Sequence, residues 1–215
     1  MIDVSVITAS LPERWEMLQE CRESVAAQCG CRVEHLVIVD ERREGFARTV
    51  NRIAHWAAGE WLWILGDDDL LHDSRCLVEH LLVAGDADIV YSVPLVTPAW
   101  YCPGCGRRYT SNGICHNDHP PLALRPTGVE ISSLTPPVLP ASSLIRRTLW
   151  ERLGGYDSEW TRGEDQEFYI RALNMGAVFA PGVPGLWTVR RHDGCKTNRP
   201  LTEREREQWA QAGVT

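Results

Sequence analysis

Trp61-Leu62-Trp63-Ile64-Leu65-Gly66-Asp67-Asp68-Asp69 carries five apolar residues through one glycine into three consecutive carboxylates. An apolar run without alternation describes a strand covered on both faces, the kind found inside a mostly parallel sheet flanked by helices. Such sheets bind ligands in the crevice beyond the carboxyl ends of their strands. Asp67, Asp68 and Asp69 stand at that end. Crowded carboxylates repel one another unless a cation or strong donors offset the charge. Hard divalent ions with oxygen ligands, Mg²⁺ or Mn²⁺, are the natural partners. The plainer reading is a solvated acidic turn that caps the following helix.

Working outward, Val4-Ser5-Val6-Ile7 and Leu36-Val37-Ile38-Val39 read as two more strands, the second again running into acid at Asp40-Glu41. Leu18, Cys21 and Val25 recur at helical spacing between them, with Ser10 and Pro12 as start signals and Gly30 as the stop. Val50, Ile53, Ala54 and Ala57 form a second helical stripe. The order strand, helix, strand, helix, strand implies right-handed crossovers, which puts Asp40 and Asp67 to Asp69 on one edge of the sheet. Downstream, a helix is predicted near Ser74 to Val83 and a strand over Asp88 to Val93. Pro94 to Pro140 then holds nine of the thirteen prolines and reads as an irregular insertion.

Regular structure resumes with a strand at Ser142 to Ile145 and a short helix from Thr148 to Leu153, stopped by Gly154-Gly155. A helix over Glu164 to Met175 follows, with Phe168, Ala172 and Met175 on one face. Strands near Val178 and Leu186 to Val189 lead to His192. The tail Thr202-Glu203-Arg204-Glu205-Arg206-Glu207 reads as an exposed charged helix without a catalytic role.

The 215 residues suit one α/β domain or one domain with a small appendage. A formal net charge of −7 argues against nucleic acid as the main partner, because phosphate neutralisation needs clustered Lys and Arg. No apolar run reaches the roughly 18 residues of a membrane span. Met1-Ile2-Asp3 lacks the basic start of a signal peptide, so the expected location is a reducing cytoplasm. In that setting Cys21, Cys29, Cys31, Cys76 and Cys195 read as small core or surface residues.

Tyr101-Cys102-Pro103-Gly104-Cys105-Gly106 is different, having the form of a zinc-ribbon knuckle. Cys115 and His119 complete a four-ligand set for structural Zn²⁺, with His116 the alternative fourth ligand. The bound ion gives an irregular, proline-rich segment a reason to order. Unpaired thiols or a redox pair are the other readings.

Taken together, these residues resemble the nucleotide-sugar-dependent glycosyltransferases of the GT-A fold, and are most similar to the inverting family 2. The resemblance rests on Val4 to Ser10, Val37-Ile38-Val39-Asp40, Asn51 ahead of Gly59-Glu60, and Leu65 to Asp69. It continues in Gly154-Gly155-Tyr156-Asp157, Glu164-Asp165 and Arg190-Arg191-His192-Asp193-Gly194. It implies a single GT-A, Rossmann-like α/β domain over 1–215; the zinc-ribbon-like segment at 94–138 and the charged tail at 200–215 are read from the residues themselves, and the segment is not part of the family's common pattern. The resemblance also implies transfer of a sugar from a nucleoside-diphosphate donor, commonly a UDP-sugar, to the hydroxyl of a glycan, lipid or protein acceptor.

By the same resemblance Asp69, Asp67 and His192 hold Mn²⁺ or Mg²⁺, while Asp67 also lies towards the ribose and Asp68 towards the donor. Ala9, Ser10 and Asp40 line the nucleotide pocket, and Arg48 stands in for the Arg that often precedes the residue matching Asn51. Asp165 is the general base, kept ionised by its helix N-terminus, and Glu164 contacts the acceptor. Trp160 and Arg162, in the loop before Glu164, read either as a cover for the donor or as ordinary surface residues. Turn capping for Asp40, dipole complementation for Glu164-Asp165 and a structural role for His192 are the corresponding plain readings. The inserted Cys/His segment is expected to help select the acceptor. A catalytically silent binding module that recognises a partner through its zinc lobe is the alternative from a different class. A nucleotidyltransferase is the other enzyme reading, though Ser10 to Arg14 lacks the glycine-rich phosphate loop of that class.

Overall fold

The acidic run ends a central strand in the computed structural model, which describes residues 1–97, 125–126, 143–190, 192, 195–196 and 199–211. The first half contains β1 (Val4–Ser10), a 3₁₀ turn (Pro12–Arg14), α1 (Trp15–Ala26), β2 (Val33–Val39), α2 (Phe46–Ala54) and β3 (Trp61–Ile64). Next come α3 (Cys76–Ala84), β4 (Ile89–Tyr91), β5 (Leu95–Thr97) and β6 (Arg125–Pro126). The remainder holds β7 (Ser143–Arg146), α4 (Arg147–Leu153), α5 (Glu164–Asn174), β8 (Phe179–Pro181), β9 (Thr188–Arg190) and α6 (Glu203–Gln211).

Six strands form one sheet in the order β2-β1-β3-β7-β4-β8, and β6-β5-β9 form a smaller one. In the larger sheet β1 pairs in parallel with both β2 and β3, and β4 with β8, whereas β7 runs antiparallel between β3 and β4. The lack of alternation in β3 has the expected cause. Leu62 and Ile64 pack into a core on the face covered by α2, α4 and α5, while Trp61, Trp63 and Leu65 enter a second core against α1 and α3. Trp63 is fully buried, and truncating such a side chain to alanine costs about 3–5 kcal/mol. Among the described residues no helix is long and apolar enough to cross a membrane.

Three local expectations need correcting. Ser10 does not cap a helix: it is the last residue of β1, and α1 starts at Trp15 and ends at Ala26, before Gly30. The buried face of α5 includes Phe168 and Ala172, but Met175 lies beyond the helix and is 46% exposed. The tail helix α6 is not simply solvated, because Glu205 is buried. The Cys102, Cys105, Cys115, His119 and His116 set lies outside the described residues.

Candidate active site

Register alone brings the acids together. Ser10, at the end of β1, sits opposite Val39, so Asp40 emerges on one flank, and its N–H donates to the Ser10 carbonyl at 2.8 Å. On the other flank Leu65 donates to the Ile7 carbonyl at 2.9 Å, and the chain turns at Gly66 into Asp67. The Ser10 hydroxyl between them donates to Asp67 Oδ2 at 2.6 Å. A cavity of about 690 Å³ opens at this edge, walled by Ala9, Ser10, Asp40, Arg48, Asp67, Asp68, Asp69, Glu164 and Asp165. Trp160 and Arg162 line it too.

The acid turn is pinned from the far side. Leu70 and Thr188 exchange backbone hydrogen bonds of 3.1 and 2.8 Å, which fixes β9 against the turn. The Arg190 N–H then donates to Asp69 Oδ1 at 3.3 Å, and its guanidinium to the Asp68 carbonyl at 2.6 Å and to Glu20. His192, two residues on, brings Nε2 to 2.9 Å from Asp68 Oδ2. The imidazole thus lies against Asp68 rather than against Asp67 or Asp69. Gly66 permits the fold-back, since a Cβ there would meet Asp68 Oδ1 at 2.7 Å and Asp69 Oδ2 at 3.1 Å.

The three carboxyls differ electrostatically. Burial and the neighbouring Asp68 charge push Asp69 well above the ordinary carboxylate range. The same two causes raise Asp67, with Ser10 and Arg14 partly opposing them. Burial also acts on Asp68, but the His192 hydrogen bond and the Arg14 charge outweigh it and hold Asp68 below its usual value.

Sequence reasoning missed Arg14. Its Nη1 lies 2.9 Å from Asp67 Oδ1 and 3.5 Å from Asp68 Oδ2, so it pairs directly with two carboxylates of the acid turn. A basic residue in the first turn after β1, on the edge that already carries the acids, was the available signal.

Asp40 is buried, and its two oxygens accept from the N–H groups of Glu44 and Gly45 at 2.9 Å each. Burial raises its pKa, but these backbone bonds win and lower it. It therefore shapes the loop entering α2 as well as lining the cavity. Arg48 pairs with Glu159 at 3.0 Å.

Glu164 and Asp165 open α5 on the opposite wall. Glu164 is buried and accepts from Lys196, the sole lysine, at 3.2 Å. The expected lowering of the Asp165 pKa by the helix N-terminus does not prevail, because burial and the Glu164 charge push it up to about 6.

The loop joining Tyr156 to Glu164 is held by α6. Glu159 bridges Arg48 and Arg204 at 3.0 Å each, the Trp209 indole N–H donates to the Arg162 carbonyl at 3.0 Å, and Thr161 donates to Glu205 at 3.1 Å.

No protein-family model and no curated protein matches the sequence. Solved structures do match. S. aureus TarS 1–349 in complex with UDP-GlcNAc gives a TM-score of 0.69 at 14% identity, over 99% of this chain and 66% of that one. The same TarS fragment in complex with UDP gives 0.58 at 16%, over 88% and 61%. The mannosyltransferase PcManGT from Pyrobaculum calidifontis, in complex with GDP-Man and Mn²⁺, gives 0.59 at 14%, over 100% and 71%. This chain spans less than two thirds of the TarS fragment's length. The fold is the GT-A architecture of these glycosyltransferases.

Proposed function

We propose that the protein is a metal-dependent inverting glycosyltransferase that moves a sugar from a nucleoside-diphosphate donor to an acceptor hydroxyl. The observation that carries this reading is the gathering of Asp40, Asp67, Asp68, Asp69, Glu164 and Asp165 around one cavity at the strand ends of a GT-A fold. The solved relatives of like fold hold UDP, UDP-GlcNAc or GDP-Man with Mn²⁺, which supports a donor of that chemical class.

The donor set fits a divalent ion. Asp67 and Asp69 are buried carboxyls displaced upward by burial and by each other's neighbour, and a cation held by the acid turn and His192 relieves that strain. When bound, Mn²⁺ or Mg²⁺ supplies Lewis-acid stabilisation of the departing diphosphate. Arg14 adds a fixed positive charge on the same side.

Across the cavity Asp165 accepts the proton of the attacking hydroxyl. A base titrating near 6 is ionised at neutral pH yet basic enough to take a proton in the transition state. Glu164, oriented by Lys196, contacts the acceptor. The Tyr156 to Glu164 loop, with Trp160 and Arg162, covers the donor and excludes water.

The test is donor turnover. Nucleoside-diphosphate sugars with Mn²⁺ are expected to be hydrolysed slowly without acceptor, and Asp165→Asn is expected to abolish that turnover while leaving nucleotide binding in place. Nucleotide binding without turnover in the wild-type protein refutes the enzyme and leaves a binding module.

A further inference from the structure

Beside the Asp68 and His192 pair lies a thiol. A carboxylate oxygen of Asp68, a ring nitrogen of His192 and the Cys195 Sγ all fall within 4.8 Å of one another. Asp68 Oδ2 and His192 Nε2 are 2.9 Å apart, about the spacing of adjacent ligands on an octahedral ion with bonds of roughly 2.1 Å. The thiol is held there by three hydrogen bonds. Cys195 N–H donates to the His192 carbonyl at 3.0 Å, His192 N–H donates to Cys195 Sγ at 3.3 Å, and Sγ donates to the Arg190 carbonyl at 3.5 Å. His192 stands two residues beyond β9 in the sequence, and β9 is itself locked to the acid turn through Leu70 and Thr188. Cys195 also lines the cavity.

We propose that Cys195 is a third protein ligand of the divalent ion, and that its sulfur tunes the site towards Zn²⁺ or Co²⁺ and away from Mg²⁺. The reasoning is the donor chemistry. Carboxylates alone favour Mg²⁺ or Mn²⁺, whereas adding an imidazole and a thiolate favours borderline and softer ions. On binding, the metal–sulfur bond forms, the S–H bond breaks and the proton leaves to solvent. The added negative charge also offsets Arg14, which lies 3.5 Å from Asp68. This inference rests on the acid turn being the metal-holding part of the proposed transferase, but its test uses no donor.

The wild-type protein and Cys195→Ser are titrated with Co²⁺ without oxygen, and the thiolate-to-cobalt charge-transfer absorption is followed. Cys102, Cys105 and Cys115 are common to both proteins, so the difference spectrum at saturation isolates Cys195. The expected result is a difference band of one thiolate, lost in His192→Ala, displaced by Zn²⁺ and unaffected by excess Mg²⁺. Identical spectra from the two proteins overturn the proposal, as does a band that Mg²⁺ displaces as readily as Zn²⁺. Should a variant fold poorly, cadmium NMR of the wild type alone decides. A resonance from a site with a single sulfur, separate from any sulfur-rich site, supports the ligand, and its absence refutes it. The band without sugar-nucleotide turnover keeps the ligand and removes the transferase, and turnover without the band does the reverse.

Discussion

Glu205 in α6 accepts a hydrogen bond from Thr161, 3.1 Å away in the loop that leads into Glu164. Glu205 also accepts from Arg199 at 2.7 and 2.5 Å and from the Thr202 N–H at 2.8 Å. Removing one partner from such a buried cluster leaves the others unpaired, so Glu205→Ala is expected to cost about 1–3 kcal/mol in urea unfolding. Faster hydrogen exchange over 158–163 and a several-fold higher donor KM should accompany it. The Arg199 hydrogen bonds hold the Glu205 carboxyl well below its ordinary value. Its stabilisation is therefore present above the usual carboxylate range and fades as the pH falls below it, so wild type and variant should converge in acid.

Asp165 gives the opposite sign. Its folded value of about 6 exceeds the ordinary 3.8, so its favourable contribution is complete below the ordinary value and is lost as pH rises through 6. Asp165→Asn is expected to be more stable than wild type at about pH 8, by roughly 1–3 kcal/mol, while losing about 10²–10⁴-fold in transfer. The wild-type rate should climb with pH along a limb near 6. A flat profile combined with an active Asp165→Asn would remove it as the base.

Asn51 and Gly155 make a testable junction. The Asn51 amide donates to the Tyr156 carbonyl at 2.7 Å, and its oxygen accepts from the Tyr156 N–H at 2.9 Å. A Cβ on Gly155 would fall 2.4 Å from that oxygen, at a φ of +73°. Gly155→Ala is expected to cost about 2–4 kcal/mol, from left-handed strain plus the lost hydrogen bonds. Chemical denaturation of Gly155→Ala, Asn51→Ala and the double variant should show less than additive losses.

Metal dependence has two separable arms. Mn²⁺ with a nucleoside diphosphate should raise the melting temperature of the wild type by mass action, and Asp69→Asn should abolish that increment. Replacing Cys102 and Cys105 with Ser should release about one Zn²⁺ per chain and alter acceptor choice while donor hydrolysis persists. An unchanged zinc content, or unchanged acceptor use after zinc loss, ends the acceptor role of that segment.

Strand periodicity made the parallel β2-β1-β3 core and the meeting of Asp40 with Asp67 to Asp69 readable, because an unbroken apolar strand has one natural place in a sheet. Glu164 and Asp165 were readable from a motif. The Glu205 cluster was hidden because alternating Glu and Arg in a tail look the same whether solvated or docked; the partners Arg199 and Thr161 reveal themselves only in three dimensions. Arg14 was concealed by a short irregular turn, whose direction no periodicity reports. The upward shift of Asp165 was misjudged because a helix terminus can be read locally, whereas burial depends on residues far along the chain.

Strand β7 returns beside β4 with Ser143 directly opposite Tyr91, so the chain that leaves β4 for β5 and the smaller sheet comes back beside the point it left. An excursion anchored in this way can change length or composition at only a logarithmic entropic cost. On the proposed transferase reading, the part beyond β5 can be exchanged like a tool head on a fixed handle, altering the acceptor while β5 goes on pairing with β9 beneath it.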